Sequence, residues 1–133
     1  EYSKRLEHYA SVEIVVVPGS ANREPARQVE EEGNAILKAI GPKDWLILLD
    51  EHGETCSSVG LAELLEKRMS AGISSFAFVI GGAYGLSALV REKAKLTLSL
   101  SKLTFTHQMV RVILLEQVYR AMTIRRGESY HHV

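Results

Sequence analysis

Short apolar runs of strand length alternate with helical segments along this chain, and the alternation restricts the possible folds more than any other feature. The most apolar run, residues 76–80, ends at the glycine-containing turn 81–85. Apolar runs that stop at glycine or proline are typical of buried strands. Alternating strands and helices predict an α/β fold in which a parallel sheet has helices on both faces.

The residue pattern also places the individual elements. Predicted strands are 12–17, 45–50, 76–80 and 96–100; predicted helices are 25–40, 57–70, a short segment after the glycine turn, and 107–126. Pro25 suits the first turn of its helix because the N–H that it lacks is not needed there. Ser57 or Ser58 can cap the next helix. Residues 1–9 have helical spacing, and residues 51–55 are predicted to form a loop.

Composition indicates a globular protein without a charge bias. The 133 residues have a formal net charge of zero, so an RNA partner would have to be held by a local basic patch. The single cysteine rules out an internal disulfide and fits a reducing compartment. No apolar run approaches the roughly 18 residues of a membrane span. We therefore expect one cytoplasmic domain, 1–133, without a membrane partner.

The carboxyl ends of the strands are the expected ligand site, as in other parallel α/β sheets. In this chain those ends carry Asp50 and Glu51, Gly81 and Gly82, and the segment from Ser101 onward. Topology alone therefore predicts a binding site along this edge of the sheet.

The turn at Gly81, Gly82 and Gly85 resembles a phosphate-binding turn. Ile80 precedes it, so the first glycine of the G-x-G-x-x-G dinucleotide fingerprint is absent by spacing. Glycines at the end of a strand also serve a positive φ angle or close backbone packing. The turn taken alone therefore does not favour a dinucleotide site.

The last helix, 107–126, carries apolar residues around most of its circumference. Only Arg111, Glu116, Gln117, Arg120 and Thr123 interrupt the apolar residues between 109 and 124. Such a helix is either a central core helix or one that is shared with a partner chain. Because a terminal helix of a small domain usually has one free side, we favour a dimer.

The histidines and the cysteine do not form a recognisable reactive group. His131 and His132 are adjacent and would point apart in a regular structure, and no cysteine or acidic pair completes a ligand set. Cys56 lies in a polar stretch without a nearby base. We expect neither a metal site nor a catalytic thiol.

Four sequence blocks resemble one known family. They are 78–86, 98–111, 115–121 and 130–131, in the same order as in the ribosomal RNA large subunit methyltransferase H family. That family belongs to the SPOUT class of trefoil-knotted methyltransferases. Two departures are visible: Ala83 and Tyr84 stand where many members have proline and glutamate or tyrosine, and the family's first strand and glycine-bearing turn are missing before Glu1.

The resemblance implies both an activity and an assembly. It implies a C-terminal trefoil knot and a homodimer through the C-terminal helix. It also implies transfer of a methyl group from S-adenosylmethionine to N3 of a pseudouridine in large-subunit (23S) ribosomal RNA, within the assembled ribosome. The alternatives are a non-catalytic ribosome-binding module with the same knotted dimer, and a flavodoxin-like domain with an anionic ligand at Gly81.

The resemblance also implies which residues form the site. The cofactor-binding set that it implies is Leu49, Asp50, Gly81, Gly82, Ser101, Lys102, Leu103, Thr104, Phe105 and Thr106. His107 and His131 are candidate bases, because the unperturbed pKa of histidine is close to working pH. Arg111, one helical turn after His107, is a candidate cation. Tyr130 is expected to stack on the target base or to orient it.

Overall fold

A computed structural model of the chain describes residues 11–16, 24–80, 86–101, 103 and 105–128; of residues 11–16 and of His107 it describes the backbone. In chain order, its elements are β1 (Ser11–Val16), α1 (Pro25–Ala39), β2 (Trp45–Thr55), α2 (Ser58–Ser70), β3 (Ser75–Ile80), α3 (Ala88–Lys93), β4 (Leu96–Ser99) and α4 (His107–Arg125). The strands and helices predicted within these residues are present, and their ends agree closely except at the end of β2. The helical spacing at residues 1–9 lies outside the described residues.

The four strands form one parallel sheet in the order β1-β3-β2-β4. The central pair is in register from Trp45 opposite Phe76 to Leu49 opposite Ile80. Because the strands run in the same direction, their carboxyl ends meet at one edge of the sheet. The α/β class and the parallel sheet predicted from the sequence are confirmed.

Alternate residues of β2 enter two separate buried clusters, because successive side chains of a strand point to opposite faces. Trp45, Ile47 and Leu49 pack with side chains of α2 and α4, and we call this set the α2–α4 cluster. Leu46 and Leu48 pack with side chains of α1 and α3 in the α1–α3 cluster. The almost uninterrupted apolar run of β2 follows from this burial on both sides.

Polar contacts join helices α2 and α4 in addition to the cluster between them. Ser58 Oγ donates a hydrogen bond to Gln117 Oε1 at 2.6 Å, and Arg125 Nε donates to Glu66. Glu66 lies eight residues after Ser58 on α2, and Arg125 lies eight residues after Gln117 on α4. The two helices therefore run parallel to one another.

The structure buries α4 on one side. Its fully buried residues are Leu114, Val118, Ala121, Met122 and Thr123. Met109 and Val112 remain 50% and 55% exposed. Among the residues that the structure describes, no helix combines the length and the apolar character that a membrane span requires.

The prediction of a loop at residues 51–55 is wrong, because β2 continues to Thr55. Leu49 and Glu54 both register with Leu98 of β4, so that residues 50–53 form a bulge between them. We call these four residues the β2 bulge. Thr55 then registers with Ser99, and this pairing makes the polar segment part of the strand.

Candidate active site

Leu49 lies at the centre of the carboxyl edge of the sheet. It registers with Ile80 of β3 on one side and with Leu98 of β4 on the other. All three side chains are at most 8% exposed and belong to the α2–α4 cluster. They form an apolar floor on the side of the sheet that α4 covers.

The segment that follows β4 folds back on itself through its serines. Ser99 Oγ donates to the carbonyl oxygen of Ser101 at 2.9 Å, and the backbone N–H of Leu103 donates to Ser101 Oγ at 3.0 Å. Short serine side chains commonly hold a turn in this way. The side chain of Leu103 is 70% exposed and projects from this turn. Phe105, further along, is half-buried.

Helix α4 begins directly after this segment. Thr106 is its N-cap, and its side-chain oxygen accepts a hydrogen bond from the backbone N–H of Met109 at 3.3 Å. His107 is the first helical residue, and Arg111 follows one turn later. Residues four positions apart share a helix face. The exposed Arg111 therefore lies on the same face as the backbone position of His107, close to the cap.

Asp50 has protein partners for both of its carboxylate oxygens. Oδ1 accepts from the backbone N–H of His52 at 3.1 Å, and Oδ2 accepts from Nη2 of Arg91 at 3.1 Å. The hydrogen bond from the backbone N–H of His52 is the largest cause of the lowered pKa of Asp50; desolvation opposes it, and the hydrogen bond and charge of Arg91 lower the pKa further. The structure therefore places Asp50 at the sheet edge as a partner of α3, and contact with a cofactor stays a prediction.

The β2 bulge packs tightly against β4 at Gly53. A Cβ atom at this position would lie 2.7 Å from the carbonyl oxygen of Thr97 and 2.8 Å from its carbonyl carbon. Both atoms are backbone atoms of a paired strand, so they cannot move away alone. Glycine at position 53 therefore allows the end of β2 to approach β4 next to Leu98.

Replacing Gly53 with alanine is expected to lower the free energy of unfolding by about 1–3 kcal/mol, because the added methyl group overpacks the strand pair. Gly41→Ala is the matched control, since the nearest atom to its Cβ would be the side-chain oxygen Oδ2 of Asp44 at 3.4 Å. Urea unfolding of both variants measures the difference. Equal urea midpoints for the two variants would contradict the tight packing of Gly53 against β4.

A pocket of about 490 Å³ lies between the β2 bulge and the connection from α3 to β4. Its lining includes Asp50, His52, Glu54, Arg91, Lys95 and Thr97. Of the predicted cofactor-binding residues that the structure describes, Asp50 alone lines it. The pocket is therefore distinct from the apolar floor. The sequence pattern does not indicate Arg91 or Lys95, because exposed charged residues are ordinary on a short surface helix and in the connection that follows it.

The remaining reactive groups add no second centre within the described residues. Within that part of the chain, no group of three or more His, Cys, Asp or Glu side chains is arranged to hold a metal ion. Cys56 lies at the surface, yet partial desolvation raises the pKa of its thiol, and the charge of Glu54 raises it further. A raised pKa disfavours the thiolate form.

Several predicted site residues lie outside the described residues. They are Gly81, Gly82, Lys102, Thr104, Tyr130 and His131. The described members of the set gather in two places along the chain. Leu49 and Asp50 lie where the first paired stretch of β2 meets the β2 bulge, and Ser101 to Thr106 lead from β4 into α4.

Comparison with known proteins identifies the class of protein. A family model described as "Predicted SPOUT methyltransferase" matches residues 1–131. The chain belongs to this family of SPOUT methyltransferases and is a methyltransferase.

Three curated relatives of the chain carry the name Ribosomal RNA large subunit methyltransferase H. The protein of Flavobacterium johnsoniae is 46% identical and that of Parabacteroides distasonis 47% identical, each over 99% of this chain and 86% of the relative. The protein of Bacteroides fragilis is 44% identical with the same coverage. The resemblance drawn from the four sequence blocks is confirmed.

Proposed function

We propose that this chain transfers a methyl group from S-adenosylmethionine to N3 of a pseudouridine in large-subunit ribosomal RNA, with the assembled ribosome as substrate. The observation that carries the proposal is the identity of about 45% over nearly the full chain with relatives named as large-subunit ribosomal RNA methyltransferases. The donor and the target atom come from the family resemblance.

The apolar floor at the sheet edge fits the adenine of such a cofactor. Leu49, Ile80 and Leu98 offer a buried apolar surface at the ends of three adjacent strands. Adenine sites combine an apolar slot with a few polar groups that fix orientation. The backbone groups of residues 101–106 and of the glycine turn would supply those polar groups. When bound, S-adenosylmethionine supplies an electrophilic methyl group on a sulfonium.

The residues around the start of α4 would activate the target base. The proton on N3 of a pseudouridine lies between two carbonyl groups, and its removal leaves a delocalised anion. His107 or His131 would take that proton as general base. The guanidinium of Arg111 would stabilise the anion, and Tyr130 would stack on the base. The main task of the protein is to align the nucleophile with the methyl group and to exclude water.

The exposed side of α4 supports a homodimer. Met109 and Val112 are half exposed on a helix whose opposite side is buried against α2 and the sheet. A second copy would cover these apolar side chains. We also propose that α4 passes through a loop of the chain as the final element of a trefoil knot. This arrangement would bring residues 101–106 over the ends of the strands.

The test is transfer of labelled methyl from S-adenosylmethionine to ribosomes that lack the modification. We expect label on a pseudouridine of the large-subunit RNA, identified after digestion to nucleosides. Label on another nucleoside would contradict the proposed target nucleoside, but the chain would still be a methyltransferase that uses S-adenosylmethionine. No label on ribosomes or free RNA would favour a binding module without catalysis.

A further inference from the structure

We propose that the pocket between the β2 bulge and the α3–β4 connection binds one nucleotide of the RNA substrate, close to the nucleotide that receives the methyl group. This inference rests on the proposed function and adds a substrate subsite to it. The pocket volume of about 490 Å³ lies within the range of small-ligand sites. Asp50, which lines the pocket, directly follows Leu49 of the apolar floor, and its pairing with Arg91 places the pocket at the end of the paired run of β2 on the α3 side, across the sheet from that floor.

Two cations line the pocket. Arg91 is held by one hydrogen bond from Nη2 to Asp50, which uses one of its five N–H donors. Its side chain is 45% exposed, so part of the guanidinium-bearing side chain is open to solvent or a ligand. Lys95 is exposed and, within the described part of the chain, makes no ion pair. Guanidinium and ammonium groups in this arrangement suit a phosphate group.

A carboxylate on the opposite wall distinguishes a nucleotide from a bare phosphate. Glu54 lies on β2 just after the bulge and is exposed. A carboxylate repels a free anion, but it accepts hydrogen bonds from the amino groups of bases. Thr97 adds a partly exposed hydroxyl-bearing residue. A nucleotide brings an anionic phosphate and a base edge with donors, and it therefore matches both walls of the pocket.

The charge of the whole chain makes such a local site necessary for RNA binding. The formal net charge is zero, so no general positive field attracts the RNA backbone. Single-stranded RNA is recognised through unstacked bases together with phosphate contacts. Arg91 and Lys95 supply two groups that can donate hydrogen bonds to phosphate, in a pocket that also contains Asp50 from the edge of the sheet where methyl transfer is proposed.

Two single variants, Lys95→Met and its control Lys93→Met, are compared to test the subsite. Both changes remove one positive charge from the same exposed segment, but Lys93 does not line the pocket. For Lys95→Met we expect roughly tenfold weaker binding to assembled ribosomes that lack the modification, a fall of about 1.4 kcal/mol. We also expect a raised KM with an unchanged kcat. The slope of log affinity against log salt should fall by about 0.7, the value for one phosphate contact to a single strand. Lys93→Met should behave as the wild type.

Equal effects of the two changes, or no effect of either, would overturn the subsite. If the wild type still transfers methyl groups in that case, the proposed function stands. Failure of the wild type to bind or methylate ribosomal RNA would overturn both. Competition distinguishes the ligands: cytidine monophosphate, whose base carries an amino group that Glu54 can accept from, should inhibit RNA binding at lower concentration than inorganic phosphate. Equal inhibition by the two would overturn the assignment to a nucleotide.

Discussion

Replacing Leu114 with alanine is expected to lower the free energy of unfolding by about 2–5 kcal/mol, the range for a leucine truncated in a packed core. Leu114 is fully buried on α4 and belongs to the α2–α4 cluster. The loss combines the transfer free energy of the removed methyl groups with the cavity that they leave. Native domains are stable by only about 5–15 kcal/mol, so the change removes a large share of the total.

The matched control is Leu89→Ala, a change of the same size on α3, where the leucine is 48% exposed. It should shift the midpoint of urea unfolding far less, because the side chain of Leu89 buries much less apolar area in the folded protein than that of Leu114. Both variants are compared with the wild type at one protomer concentration, since the stability of a dimer depends on concentration. Equal shifts for the two leucines would contradict the one-sided burial of α4.

The sequence predicted the strands that end at the candidate site because each of them is an apolar run with a clear stop. The run of β2 is apolar up to Asp50, and that of β3 ends at Gly81. With parallel pairing, those stops are enough to bring Leu49 to the centre of the sheet edge. The register with Ile80 and Leu98 then follows from pairing that only the structure shows.

The continuation of β2 was beyond sequence reasoning for a physical reason. Residues 51–55 are polar and contain Gly53, so they have no apolar period, and strand pairing with Leu98 and Ser99 determines their conformation. The contact between Asp50 and Arg91 joins residues 41 positions apart, and no local pattern indicates it. Likewise, the composition of α4 shows that it is apolar but does not show which side is buried.

Replacing Arg111 with methionine is expected to lower kcat on the order of 10²–10³-fold, the usual cost of removing one group that stabilises a developing anion. Arg111 is exposed one turn after the capped start of α4, on the face that also carries the backbone position of His107. Methionine keeps the length and the helix propensity of the side chain but removes its charge. The affinity for S-adenosylmethionine should not change, because the proposed cofactor floor is built from other residues.

Rescue and pH dependence separate this role from a structural one. Arg111→Lys keeps a positive charge and should recover part of the lost kcat, although a lysine cannot reproduce the planar fork of arginine. In Arg111→Met, the target pseudouridine must lose its N3 proton without a nearby cation. The increase of the methylation rate with pH should therefore occur at higher pH than in the wild type. The molecular mass in solution is measured for each variant, because Val112, next to Arg111, lies on the proposed dimer surface. If Arg111→Met retains the wild-type kcat and pH profile as an intact dimer, Arg111 is not the stabilising cation, and the anion must be stabilised by another group.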